Sequence, residues 1–404
     1  MSRFYYRLAK TLKRTGSTTV RFMCTVTFTC ITTPGILAIG VPGSGTRVAG
    51  FNGAEFRWLD GRTAGGTVGL VPNTNKRSIG RSGMRKILSI DAGGVRGIIP
   101  ATILAEVEAR TGQPVCSLFD FLVGTSSGGM LVLALNCPAT SGCARPLCSA
   151  QEVASLFHEW GNRAFGDKLS KRVQPLAEVS SENGVEDMFR EYFGNAWLSD
   201  SIKPTIVTAF DLTTAQPFFL NSAKAVRNVG DDFLMWQAAR ATTAVPPYFS
   251  PFRLSIPHIP SRRAREACLV DGSLFASNPA ICALAEARSL FPGENDFLLI
   301  SLGCGEAHRA FLPVGLRQNR RRIFDFSSTA QSACVDYQMR AFLPRQRYIR
   351  IQADLVPGLD SIDDASEKNL LGLQSEARET IARHADVLDQ LVDLLAPESS
   401  MAIA

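Results

Sequence analysis

From residue 84 onward, short apolar runs alternate with longer stretches in which apolar residues return every three or four positions. The runs at 87–91, 119–125, 205–211, 217–221, 267–271, 297–302 and 348–352 predict strands. The periodic stretches at 98–110, 127–136, 150–165, 185–193, 233–243, 279–290 and 366–395 predict helices. Strands alternating with helices predict an α/β fold with a central, largely parallel sheet covered on both faces. Ligands in such folds sit at the carboxyl ends of the strands. No internal repeat or linker breaks the pattern, so 84–404 reads as one domain.

Residues 1–83 follow another pattern. The first 21 are basic and aromatic. Residues 22–41 carry no charge over about the length of a membrane span, but they are rich in Thr and interrupted by Pro34. Residues 42–83 are rich in Gly, Thr and Arg without periodicity, which predicts no packed fold. The expected organisation is a basic, low-order leader over 1–83 and a domain over 84–404. The preferred reading of the leader is upstream sequence ahead of a natural start at Met84. The alternatives are a secretory signal or an anchor through 22–41.

Composition sharpens this division. Apolar residues make up 45% of the 404, enough for a large core. The net charge of +6 lies in the leader. Residues 1–83 carry 12 basic and 2 acidic side chains, whereas 84–404 carry 31 and 35. A mildly acidic domain argues against a nucleic-acid partner. The ten cysteines show no metal spacing. Cys137, Cys143 and Cys148 lie closest, in a Pro/Ser/Gly loop without a paired C-x-x-C. Cys116, Cys268, Cys282 and Cys304 adjoin apolar runs and read as small buried hydrophobes, which fits a reducing compartment.

Three constellations fall at predicted strand ends. Asp91-Ala92-Gly93-Gly94-Val95-Arg96-Gly97 leaves the first strand of the domain and opens its first helix. Glycines ahead of a helix aim backbone N–H groups at an anion. The loop lacks the G-K-[ST] of a phosphate-binding P-loop. Its other reading is an oxyanion hole, with Gly93 and Gly94 meeting the negative oxygen of a tetrahedral intermediate. Arg96 is a candidate head-group contact or a structural ion-pair partner. One strand later, Gly124, Ser126 and Gly128 form G-x-S-x-G at a strand-to-helix turn, the setting of a serine nucleophile. Asp271 and Gly272 close a third strand, which brings a carboxylate to the same rim. Of the four histidines, only His308 follows a strand as a hydrolase histidine does. A Ser126–Asp271 dyad and a Ser126–Asp271–His308 triad are both open on these residues.

These segments, in this order, resemble the patatin-like phospholipase family. Ala239-Arg240-Ala241-Thr242-Thr243-Ala244-Val245-Pro246-Pro247-Tyr248-Phe249 resembles the family's segment before its aspartate, and Asn278-Pro279 the one after it. The resemblance covers about residues 86–302. It implies a three-layer α/β/α sandwich and a Ser–Asp dyad, with Ser126 as nucleophile, Asp271 as base and the oxyanion hole near Gly93 and Gly94. It implies hydrolysis of fatty-acyl esters in phospholipids or other acyl lipids, without calcium or another cofactor, during transient contact with a membrane surface. Two residues depart from the family pattern. Ala92 stands where the family has the first of three glycines, and Ser273 where it has Gly or Ala. A close approach of the oxyanion to residue 92 would make the first departure lower activity.

The expected function is therefore a lipid acyl hydrolase of phospholipase A or lysophospholipase type. The expected location is cytoplasmic and peripheral at membranes, or exported or anchored through 22–41. The alternatives are an α/β-hydrolase esterase with a Ser126–Asp271–His308 triad and a non-catalytic or nucleotide-responsive, phosphate-binding module. Head group, chain length, activating ligand and oligomeric state are not legible in the residues. The 366–395 helix packs on the body or serves as a dimer face.

Overall fold

The computed structural model describes residues 83–165, 182–257, 263–307 and 320–395, with the backbone of five strands between residues 20 and 59. The chain divides into two units, Met1–Ile79 and Gly80–Ala404. In the first, β1 (Val20–Arg21), β2 (Thr27–Thr33), β3 (Ile36–Gly40), β4 (Arg47–Asn52) and β5 (Glu55–Leu59) pair antiparallel in chain order. Strands β4 and β5 fall in the stretch whose lack of periodicity predicts no packed fold. Their register sets Asn52 opposite Glu55. The 22–41 stretch carries β2 and β3, and among the described residues no helix is long and apolar enough to cross a membrane.

The second unit runs β6 (Arg85–Ile90), α1 (Ile98–Thr111), α2 (Val115–Leu118), β7 (Phe121–Thr125), α3 (Ser127–Ala134), α4 (Ala150–Phe165), α5 (Glu182–Phe193), β8 (Thr205–Asp211), β9 (Gln216–Asn221), α6 (Ser222–Arg227) and α7 (Met235–Thr242). It continues with β10 (Phe252–Ile256), β11 (Arg265–Asp271), α8 (Ser273–Ala276), α9 (Ala280–Leu290), β12 (Phe297–Leu302), α10 (Arg320–Phe342), β13 (Tyr348–Ile351), α11 (Glu367–Arg383) and α12 (Ala385–Leu395). The seven predicted strands are present.

Beside the short helices α2, α6 and α8, three further elements of this unit differ from the sequence expectation. Strand β10 is an edge strand alternating buried and exposed residues, not an apolar run. Helix α10 buries Val335 and Met339 in a stripe too sparse for a clear period. The 366–395 stretch is two helices, because His384 leaves helical geometry at φ −110° and ψ 26°.

Side-chain alternation along the strands explains the layers. Leu88, Ile90, Leu122, Val207, Leu298 and Ile300 point into a core built with α1, α3, α4, α5, α7, α11 and α12. Ile87, Phe121, Val123, Ile206, Phe297 and Leu299 point the other way, against α9 and α10. Period-two alternation with both faces apolar is what a sheet between two helical layers requires. The result is a three-layer α/β/α sandwich. Its strand order is β10-β11-β8-β7-β6-β12-β13, with β9 also paired to β8. Strands β8, β7, β6, β12 and β13 are parallel, β9 and β11 run antiparallel to β8, and β10 runs antiparallel to β11.

Strand β8 holds the arrangement that matters most. Strand β9 occupies one of its edges over residues 206–211. On the other edge, β7 pairs as far as Thr125 opposite Thr208, and β11 begins with Asp271 opposite Ala209. Two strands of opposite direction therefore abut carboxyl end to carboxyl end along one edge. The residue after Thr125 and the last residue of β11 meet there.

Candidate active site

Ser126 stands at the turn from β7 into α3 with φ 56° and ψ −125°. That conformation costs a non-glycine residue about 1–3 kcal/mol and recurs where function demands it. It persists because neighbours over-determine it. The Ser126 amide donates to Thr242 Oγ1 at 2.9 Å, and Thr242 Oγ1 donates to the Thr208 carbonyl at 2.7 Å. Thr125 Oγ1 shares a 2.7 Å hydrogen bond with Thr208 Oγ1 and donates to the Ala276 carbonyl at 2.8 Å. A Cβ at Gly128 would overlap the Ile90 and Asp91 carbonyls, so glycine lets α3 start against the end of β6.

Asp271 is fully buried at the end of β11. Its amide donates to the Ala244 carbonyl at 3.1 Å, and its Oδ1 accepts from the Ser273 amide at 2.8 Å. Its Oδ2 is buried without a hydrogen bond of full geometry. Burial pushes the Asp271 carboxyl up to about 6, with the Ser126 hydroxyl and the Ser273 amide pulling the other way. A carboxylate poised near neutrality, with one oxygen held and the other uncommitted, is suited to accept a proton. Thr242 and Ala244, which hold Ser126 and Asp271, both belong to the 239–249 segment.

The glycine loop follows β6. Hydrogen bonds engage its flanking amides: Ala92 donates to Ser277 O at 2.9 Å, Val95 to Ile362 O at 3.0 Å and Arg96 to Gly93 O at 3.2 Å. The Gly93 and Gly94 amides have no such partner among the described residues. Gly94 has φ +58°, and a Cβ there would overlap the Ile362 carbonyl. Because the Ala92 amide is committed to Ser277, the departure from glycine at this position takes no free N–H away from the loop.

Beneath the loop, Arg350 of β13 grips Asp91 with two bonds, Nη1 to Oδ1 at 2.9 Å and Nη2 to Oδ2 at 2.6 Å. Ser301 and Ser332 also accept from this guanidinium, at 2.8 and 3.1 Å. Burial opposes the Arg350 charge, and the Asp91 carboxylate more than offsets it, so the guanidinium lies above its ordinary pKa.

A cleft of about 210 Å³ collects these groups. Ser126, Asp271, Gly93, Gly94 and Arg96 all line it, as do Cys304 and Glu306. Cys304 is ill suited to act as a nucleophile, since burial pushes its thiol up to about 12. A second, almost wholly apolar slot of about 60 Å³ opens from Ser126 and Gly94 between Met130, Phe157, Trp160 and Met188.

Arg96 has no carboxylate partner among the described residues. Its guanidinium reaches the Gly93 and Gly305 carbonyls at 3.4 Å each. Gly124 lies in β7, and Gly272 caps α8 beside Asp271. His308, His258 and Arg317 lie outside the described residues. His158 and His384 sit on α4 and at the end of α11, and neither lines the cleft. The loop cysteines Cys137, Cys143 and Cys148 are free thiols. Sequence reasoning misses Thr242, Arg350, Glu306 and the apolar slot. Thr242 stood in a segment already singled out, but nothing local in the sequence points from Arg350 to Asp91, 259 positions away.

The family model "Patatin-like phospholipase" matches residues 88–284. Patatin-like protein 2 of Oryza sativa subsp. indica is 29% identical over 331 residues, covering 71% of this chain and 81% of its own. The cGAMP-activated phospholipase of Pseudomonas aeruginosa is 28% identical, covering 67% of this chain and 79% of its own. The probable inactive patatin-like protein 9 of Arabidopsis thaliana is 31% identical over 294 residues, covering 67% of this chain and 75% of its own. With strand-end serine, aspartate and glycine loop gathered on one cleft, and with these matches along the sandwich that holds them, the chain belongs to the patatin-like phospholipase family of lipid hydrolases.

Proposed function

We propose that the protein cleaves fatty-acyl esters of phospholipids, in the manner of a phospholipase A or lysophospholipase, through a Ser126–Asp271 dyad. The observation that carries this reading is the pairing of a strained Ser126 with a buried Asp271 whose Oδ2 is uncommitted. The acyl chain enters the apolar slot, and the ester carbonyl oxygen meets the Gly93 and Gly94 N–H groups. Ser126 Oγ attacks the carbonyl carbon as Asp271 takes its proton. Asp271 returns that proton to the departing lysolipid oxygen, leaving an acyl-enzyme on Ser126. Asp271 then takes a proton from the attacking water, and the fatty acid leaves as Ser126 recovers its hydrogen. Each oxyanion donor of this kind contributes about 10²–10³ in turnover.

A phosphate-binding module would use the same glycine loop. The carboxylate of Asp271 on the same cleft disfavours a multiply charged anion there. Mixed micelles of diacyl phospholipid with the purified chain supply the test. Wild type releases fatty acid and lysolipid in equal amounts at first, and Ser126→Ala releases neither. Equal release by both would overturn the proposal.

A further inference from the structure

Most ionised groups on the wall of the cleft have partners. Asp91 is neutralised by Arg350, and Asp271 faces Ser126. Arg96 and Glu306 are different. Among the described residues the Arg96 guanidinium meets only two backbone carbonyls, at the limit of hydrogen bonding. Glu306 is anchored by its backbone, donating to Ala353 O at 2.9 Å and accepting from Leu355 N at 2.7 Å. Its carboxylate bears on both Asp91 and Arg350 through space, yet it has no cationic partner within ion-pair distance among the described residues. Because Arg96 Nη1 bonds the carbonyl of Gly305, the two opposite charges flank one short segment without closing on each other. Both residues are half-buried and both line the cleft that contains Ser126.

We infer that Arg96 and Glu306 form a bipolar head-group subsite for zwitterionic phospholipids, with the phosphodiester on Arg96 and the ammonium on Glu306. This rests on the acyl-hydrolase reading of the same cleft. A guanidinium matches phosphate oxygens in a two-pronged, charge-assisted contact. A carboxylate beside it suits the cation that ethanolamine or choline carries on the far side of the phosphate. An anionic head group lacking that cation brings like charge towards Glu306. An uncharged sugar head group leaves both side chains unanswered. The Gln352 side chain adds a donor. Its Oε1 accepts from the Gly305 amide at 2.8 Å, which leaves Nε2 for a phosphate oxygen.

The test compares phosphatidylethanolamine with phosphatidylglycerol of identical acyl chains in neutral-detergent micelles, using the full chain. Each variant's kcat/KM is normalised to its own rate on diacylglycerol. Wild type prefers the zwitterion by about tenfold or more, a typical charge-pair effect. Glu306→Gln brings the ratio towards one through a higher KM for phosphatidylethanolamine, and Glu306→Lys inverts it. Arg96→Gln lowers both phospholipids relative to diacylglycerol. A wild-type ratio at or below one, or a ratio that Glu306→Lys does not move, overturns the subsite. Binding of the same two micelles to Ser126→Ala separates the two readings. Selective binding without any turnover by wild type keeps the subsite and removes the hydrolase. Turnover without selectivity keeps the hydrolase and removes the subsite.

Discussion

Asp271 carries two demands that pull against each other. As the proposed base it must ionise, yet its burial favours the neutral acid and holds its pKa up to about 6. Its activity limb follows: kcat/KM rises with pH through about 6 and levels above it. Stability has the opposite sign. Between the ordinary aspartate value and about 6 the folded protein binds the extra proton, so stability falls as pH rises through that window. Asp271→Asn is therefore expected to lower kcat by about 10²–10⁴-fold. It is also expected to raise Tm at pH 8 while leaving it little changed at pH 4, since the retained cost is at most roughly 3 kcal/mol. An Asp271→Asn protein less stable than wild type at pH 8 would contradict this account of the burial.

Thr242→Val tests the elbow from below. It strands the Ser126 amide, costing about 1–3 kcal/mol, and lets the proposed nucleophile drift, which calorimetry and a fall in kcat of about 10–100-fold at unchanged KM would register. The positions of Ser126 and Asp271 were legible because a G-x-S-x-G turn and a strand-final Asp-Gly are local backbone patterns. Thr242 and Glu306 were not, because their parts come from contacts made only when distant segments meet.

At the scale of elements, the strand–helix alternation foretold the sheet because every central strand is apolar on both faces. Helix α10 escaped notice because its core stripe is thin, yet its Ser332 and Ser328 reach the network under the glycine loop. That network predicts an asymmetric mutational response. Arg350→Met leaves the Asp91 carboxylate buried and alone, a loss of about 3–5 kcal/mol. The double variant Asp91→Asn/Arg350→Met recovers part of the lost Tm. The head-to-head meeting of β7 and β11 on β8 was invisible for another reason. Register between strands more than a hundred residues apart leaves no mark in the sequence of either one. The sequence could bring both residues to one rim but not end to end on a shared edge.

For the molecule as a whole, the serine, aspartate, glycine loop, Arg96 and Glu306 lie within the Gly80–Ala404 unit. A chain beginning at Met84 is therefore expected to keep the Tm of the main transition and the phospholipid kcat of the full chain, as calorimetry and micelle assays would show. Its loss of activity would mean that the basic leader contributes to the site. The same unit also bears on the histidine question. Neither described histidine lines the cleft, and Asp271 has an oxygen free for Ser126. His308→Ala is expected to keep kcat within about threefold, against a loss of about 10⁴ for a triad member.

The most direct measurement is covalent labelling by a fluorophosphonate, followed by mass spectrometry of the modified peptide. The dyad account predicts one phosphonylated residue, Ser126, in wild type and in His308→Ala, with labelling much slowed in Asp271→Asn and abolished in Ser126→Ala. Labelling that misses Ser126, or that proceeds at the wild-type rate without Asp271, would contradict it.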